Sequence, residues 1–263
     1  MSGWSEAHGA GVLGGFLAKW AREQRQRAFL RTPAGHELGY GALLEQSARV
    51  AGALRSRGVA PGERVVARVE TSPEAVLLYL ACLRLGAVFV PANPCGTSAE
   101  FEYLLRDADP RLTVVPPAQR DALRALAAAG ASCAFETLGS EGEGSLAELV
   151  QRSAPAALEE SPAPGLLAAL VYTSGTTGRP KGAMLTQANL AANAVALAHA
   201  WRFSTQDQLL HALPLFHVHG LCVAINTVLV AGAGLMLLPK FDAATVLQHL
   251  PHASVFMGVP THY

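Results

Sequence analysis

Lysine is almost absent from this chain: of its 20 basic side chains only Lys19, Lys181 and Lys240 are lysines, and the rest are arginines. Acids balance bases at 20 each, and no basic stripe or run occurs. A nucleic-acid-binding surface therefore has no electrostatic support. The four cysteines, Cys82, Cys95, Cys133 and Cys222, stand far apart and form no CxxC pair, which argues against a zinc site or a disulfide framework. No internal repeat of solenoid period is present. Disorder is excluded from the other side: 51% of the residues are hydrophobic and only 15% are charged, enough apolar surface for a sizeable core.

An uninterrupted apolar run of bilayer length is also missing. "LCVAINTVLVAGAGLMLLP" (221–239) comes nearest, but Asn226 and Thr227 break it and "AGAG" splits it. It reads as a buried helix, a turn and a buried strand rather than a membrane span. Near the start, "GAGVLGGFLA" has the length of a signal-peptide core. Glu6 precedes it, no basic segment does, and "KWAREQRQR" follows. An amphipathic first helix fits that pattern, and a cytoplasmic location is the expectation.

From about residue 10 to 150, helical and strand patterns alternate. "YGALLEQSARVAGALRSRG" (40–58) carries a helical apolar stripe, with Gly58 where a left-handed C′ residue belongs. "SPEAVLLYLACLRLG" opens with Ser72 as N-cap and Pro73 at the first helical position. In "TSAEFEYLLRDADPRLTVV", Thr97 or Ser98 caps a helix and Glu100 follows as a capping-box acid. "APGERVVARV" and "AVFVPANP" read as short strands. "AQRDALRALAAAG" with "ASCAFE" adds one more helix–strand unit. This rhythm predicts an α/β fold: doubly wound, mainly parallel sheets with helices on both faces.

The composition then shifts. "SEGEGSLAELVQRSAPAALEESPAPG" (140–165) reads as a surface connection with one short helix. Beyond it come strand "LLAALVYTS", strand "GAMLT" and helix "QANLAANAVALAHAW" with Thr186 as N-cap. The expected division is a first α/β subdomain over 1–163 and the start of a second over 164–263.

Between those two strands lies "TSGTTGRPKG". Gly175, Gly178 and Gly182 open backbone angles closed to other residues, and successive amides in such a turn converge into an anion-binding concavity. Thr173, Ser174, Thr176 and Thr177 add hydroxyls, and Lys181 adds a positive charge. A solvated polar turn has similar composition. The ordered string, ending in Pro-Lys-Gly after an apolar strand, favours a cradle for phosphates instead. It is not a Walker A loop, because Lys181 follows Pro180 and precedes Gly182.

"YTSGTTGRPKG" resembles the signature loop of the adenylate-forming superfamily, which includes acyl-CoA synthetases, adenylation domains of peptide synthetases, and luciferases. The resemblance runs from about residue 20 to the end. It implies that Thr173, Ser174, Gly175, Thr176, Thr177, Gly178 and Lys181 hold the polyphosphate of ATP, with Thr173 also approaching Mg²⁺. A carboxylate then attacks the α-phosphate to give an acyl-adenylate, and the thiol of CoA displaces AMP. Lys181 and His217 are the implied catalytic residues. His217, in "LPLFHVHG", stands where acyl-CoA synthetases place a residue beside the reacting carboxylate, and Gly258, Val259, Pro260 and Thr261 match a segment that lines the acyl pocket. A His packed at a helix start is the other reading of His217.

"FHVHGLCVAINTVLVAGAGLMLLPKFD" is most similar to the malonyl-CoA synthetases, which implies a small dicarboxylic acid. A medium- or long-chain fatty acid is the alternative. The Tyr-Gly-x-Thr-Glu block, the ribose-binding Asp, the hinge and the small C-terminal domain with its catalytic Lys have no counterpart in the sequence. The expectation is thus the N-terminal part of a larger ligase, with no acyl-CoA formation by these 263 residues alone. The competing expectation is a catalytically silent product or nucleotide-binding module. No nucleic-acid partner and no membrane span are expected, and protein partners stay open.

Overall fold

Two mainly parallel sheets carry the helices in a computed structural model that describes residues 11–128, 133–157, 162–173 and 180–263. The residue contacts divide the chain into two units, 47–186 and a discontinuous one made of residues up to Gln46 with Gln187–Tyr263.

In the unit 47–186 the strands are β3 (Arg64–Ala67), β4 (Val88–Pro91), β5 (Leu112–Val115), β6 (Ala134–Thr137), β7 (Leu167–Thr173) and β8 (Lys181–Thr186). Their order across the sheet is β6-β5-β3-β4-β7-β8, parallel except for the antiparallel β7–β8 hairpin. The chain winds outward from β3 to β4, then crosses back to β5 and β6. Right-handed crossovers in opposite directions place their helices on opposite faces.

The helices between these strands show why the local sequence adopts them. Helix α3 (Pro73–Leu85) starts where the Ser72 hydroxyl accepts from the Ala75 N–H at 3.1 Å, and it stops at left-handed Gly86. Ten of its thirteen residues are buried, which is why its sequence shows a continuous apolar run instead of a stripe. Helix α4 (Ser98–Ala108) starts with a reciprocal cap. The Thr97 hydroxyl accepts from the Glu100 N–H at 3.2 Å, and the Glu100 carboxylate accepts from the Thr97 N–H at 2.8 Å. Thr97, not Ser98, is therefore the cap. Phe101, Leu104, Leu105 and Ala108, at helical spacing, bury against Val66, Val90 and Val115 of the sheet. Helices α5 (Arg120–Ala128) and α6 (Ser145–Arg152) complete the set. The buried Glu136 carboxylate at β6 is paired with Arg57 at 2.5 Å and accepts from the Ser145 hydroxyl.

The other unit holds the sheet β11-β9-β10-β1-β2. Strands β9 (Gln208–His211), β10 (Gly234–Leu237) and β11 (Val255–Met257) are parallel, and β1 (Ala28–Arg31) joins β10 in parallel. Strand β2 (Glu37–Gly39) closes the edge as an antiparallel partner of β1. Helix α1 (Leu13–Glu23) buries Leu13, Phe16, Leu17, Trp20 and Ala21. The Trp20 indole N–H donates to the Val230 carbonyl at 3.2 Å, in helix α8 (Asn226–Ala231). Helices α7 (Gln187–Ala200) and α9 (Ala243–His249) belong to the same unit.

Helix α2 (Tyr40–Ser56) contains the point at which the contacts divide. It ends in a left-handed cap at Gly58, φ 78°, with Gly58 N–H donating to Arg55 O and Val59 N–H to Leu54 O, the Schellman arrangement. The 163/164 boundary expected from composition falls inside the unit 47–186. The reason is strand pairing: β7 joins β4 at Phe89–Ala169, which places β7 and β8 in the same sheet as β3 to β6. Among the described residues, no helix is long and apolar enough to cross a membrane.

Candidate functional site

The two groups of candidate residues occupy different units. In the unit 47–186, β7 and β8 run antiparallel with Tyr172 opposite Gly182 and Thr173 opposite Lys181. Directly opposed residues of an antiparallel pair project from the same face. The hydroxyl of Thr173 and the ammonium of Lys181 therefore leave the sheet together, and both residues are exposed. Ser174, Gly175, Thr176, Thr177 and Gly178 lie outside the described residues. Thr173 stands at the carboxyl end of β7, the end of parallel strands at which open α/β sheets bind ligands.

The side chains beside this pair are hydrogen-bonded to a neighbouring helix. The Tyr172 phenol donates to Asp107 Oδ2 at 2.5 Å, and the Tyr103 phenol donates to the Pro180 carbonyl at 3.1 Å. Burial, with the Asp107 carboxylate next in weight, pushes the Tyr172 phenol well above its ordinary range, so it keeps its proton. The β8 glycine has a local cause. A Cβ on Gly182 would lie 2.8 Å from Leu170 Cδ1 and 3.4 Å from Tyr172 Cζ, in space those side chains use. Nothing in the residue types of this stretch pointed to Tyr103 or Asp107; only the fold brings α4 beside the hairpin.

This donor set fits a magnesium-bound polyphosphate. Lys181 offers a compact cation to phosphate oxygens, and Thr173 offers the kind of hard oxygen that Mg²⁺ accepts.

In the discontinuous unit, His217 follows β9 and the 258–261 segment follows β11. Those two strands are adjacent and parallel, so both segments emerge at the carboxyl ends of neighbouring strands. The exposed His217 ring lies against Phe216, centroids 4.2 Å apart. The His217 backbone N–H donates to the Pro214 carbonyl at 3.3 Å, and its backbone carbonyl accepts from the Leu221 N–H at 3.0 Å. His217 is thus placed at the entrance to the wide-turn helix His219–Ile225. Gly220, the second residue of that helix, is under constraint, because a Cβ there would come within 2.2 Å of the Pro214 carbonyl oxygen.

Val259, Pro260 and Thr261 are exposed, while Gly258 is half-buried between Phe256, His262 and Tyr263. His262 stacks on Phe241 at 3.9 Å. Behind this edge, the sequence reading missed His211, the last residue of β9. It is wholly buried, and burial together with the nearby His219 pushes its imidazole down to about 4. A neutral ring therefore underlies this end of the sheet at neutral pH.

The pattern of two α/β sheets, with a Ser/Thr/Gly-Pro-Lys-Gly hairpin on one and a His-rich turn on the other, defines a class. The chain belongs to the AMP-binding enzyme family, which its residues 17–263 match. The indoleacetate–CoA ligase of Aromatoleum aromaticum is 40% identical over 229 residues, 85% of this chain and 44% of that protein. The mitochondrial malonate–CoA ligase ACSF3 of Xenopus laevis is 34% identical over 209 residues, 76% of this chain and 35% of that one. Among solved structures, apo MatB from Rhodopseudomonas palustris superposes with a TM-score of 0.90 at 42% identity, covering 96% of this chain and 50% of MatB. The ATP-bound form of MatB gives 0.89 at 41% identity, with the same coverage. The chain spans about half the length of these relatives, or less.

Proposed function

We propose that this chain supplies the ATP-gripping hairpin and part of the acid-binding edge of a carboxylic acid–CoA ligase. The observation that carries the reading is the Thr173–Lys181 pair: a hydroxyl and an ammonium project together from the mouth of a hairpin whose connecting sequence is "SGTTGRP". The ATP-bound MatB relative supports the choice of nucleotide.

The chemistry demands such a site. A carboxylate is a weak nucleophile and a triphosphate repels it, so the protein must neutralise charge and fix an in-line approach. Lys181 would draw charge from the β- and γ-phosphates, with Ser174, Gly175, Thr176, Thr177 and Gly178 supplying hydroxyl and amide donors. Thr173 would contribute an oxygen towards Mg²⁺, and the metal would screen the phosphates from the incoming acid. His217 and the Gly258–Thr261 segment would border the acid, whose acyl group passes to AMP and then to the sulfur of CoA.

For the acid itself we favour malonate or another short acid. The stretch "FHVHGLCVAINTVLVAGAGLMLLPKFD" resembles malonyl-CoA synthetases, and a malonate–CoA ligase is among the relatives. An arylacetic acid is the second reading, favoured by the higher identity to an indoleacetate–CoA ligase. A fatty acid of medium or long chain ranks below both.

The test is calorimetric titration of the chain with MgATP, wild type against Lys181→Ala. Binding that weakens in the variant supports the reading. Indistinguishable isotherms remove Lys181 from the phosphate site, and no binding by the wild type favours a silent chain.

A further inference from the structure

The pair Thr173–Lys181 sits where its own sheet gives it least support. The register point joining β4 to β7 is Phe89–Ala169, and β4 ends at Pro91. Tyr172 and Thr173 therefore run past the end of the neighbouring strand. Pro180 stands just outside the hairpin ladder, and as a proline it has no N–H with which to extend it. An unsupported hairpin mouth is mobile, and a mobile mouth does not hold a hydroxyl and an ammonium in one orientation.

Helix α4 supplies the missing support on both sides. Asp107 accepts the Tyr172 phenol, one residue before Thr173, and Tyr103 donates to the carbonyl of Pro180, one residue before Lys181. Tyr103 and Asp107 are four residues apart and so share one stripe of the helix. The helix is itself fixed by the Thr97–Glu100 cap and by the burial of Phe101, Leu104, Leu105 and Ala108 in a cluster on which the Tyr172 ring also packs.

We propose that Tyr103 and Asp107 are positioning residues for the polyphosphate: one helix grips both stems of the hairpin and so keeps Thr173 and Lys181 aimed together. The inference rests on the phosphate-binding reading above. Neither residue touches the ligand; each acts through the stem it holds. Holding both stems spares the ligand the entropy of ordering them, which is the physical source of affinity in a preorganised site. Asp107 is exposed and Tyr103 only half-buried, so removing either bond leaves the core packing in place.

The experiment uses the whole chain as wild type, Tyr103→Phe, Asp107→Ala, Tyr172→Phe and the double variants Tyr103→Phe/Asp107→Ala and Tyr172→Phe/Asp107→Ala. Amide hydrogen exchange over residues 171–184 is followed without nucleotide, and MgATP is titrated calorimetrically. Each single substitution is expected to speed exchange at the stems and weaken MgATP binding about three- to ten-fold, with a larger loss in Tyr103→Phe/Asp107→Ala. Tyr172→Phe combined with Asp107→Ala should cost no more than either alone, since both remove the same bond. Unchanged exchange in the ligand-free variants overturns the clamp. Faster exchange with undiminished MgATP affinity overturns its role in positioning. A wild-type chain that binds no MgATP overturns the phosphate-site reading and this role with it, while the exchange measurement still decides whether the clamp exists.

Discussion

Among the described residues, Thr173 and Lys181 are the last to pair across the β7–β8 hairpin, directly opposite and on one face. A hydrogen bond to a charged group is worth about 1.5–3 kcal/mol, and 1.4 kcal/mol is tenfold in binding. Lys181→Ala should therefore weaken MgATP binding by about 10- to 100-fold. Lys181→Arg should recover part of the loss, and the difference should shrink at high salt. Titration at two ionic strengths measures all three.

Buried His211 predicts a dependence of stability on pH. In the unfolded chain its ring takes up a proton near the ordinary value of 6.5, whereas in the folded chain it does so only near 4. Between those values the unfolded chain holds the extra proton, so stability is complete above the upper value and falls as pH drops. The loss is on the order of 3 kcal/mol across the window. Urea unfolding at intervals from pH 7.5 to 4.5 should show this slope, and His211→Leu should flatten it whatever its effect at neutral pH.

Gly220 faces a backbone oxygen, which cannot swing aside as a side chain would. Gly220→Ala places a Cβ 2.2 Å from the Pro214 carbonyl oxygen, and overpacking of this kind costs about 1–3 kcal/mol. The shift has to pass into the His217 turn. Denaturant melts should show the loss, and Gly165→Ala, where an added Cβ meets nothing within 4 Å, should change stability far less.

The cap of α4 gives a smaller, separable effect. Thr97→Ala removes one half of the reciprocal bond with Glu100 and should cost about 1 kcal/mol. Glu100 is held below the ordinary carboxylate range first by the Thr97 N–H, so stability it provides is present at neutral pH and fades as pH falls through its lowered value. Thermal melts of Glu100→Gln should draw towards wild type as pH falls through that lowered value, whereas the Thr97→Ala loss, which comes from a neutral hydroxyl, should persist.

What could be read beforehand was what depends on near neighbours. Ser72 with Pro73, Thr97 with Glu100, and Gly58 after "RSR" each announce a helix end through chemistry that spans three or four residues. The hydroxyl-rich hairpin with its Pro-Lys-Gly was legible for the same reason. Strands β1 and β2 were not, and β1 finds its partner β10 some two hundred positions later. The same blindness placed a boundary near 163, since no local signal says that β7 pairs with β4. It also hid Tyr103 and Asp107, whose relation to Tyr172 and Pro180 exists only once α4 has packed.

The discontinuous unit sets an order for synthesis. Residues 47–186 can close their sheet as soon as β8 has left the ribosome. Strand β1, made far earlier, must wait for β10 at Gly234–Leu237 before its parallel ladder can form. The apolar stripe of α1 and the Phe29–Leu30 pair of β1 thus belong to a unit whose strands β9, β10 and β11 are all made later, so 13–31 is the stretch that waits longest between its synthesis and its final packing.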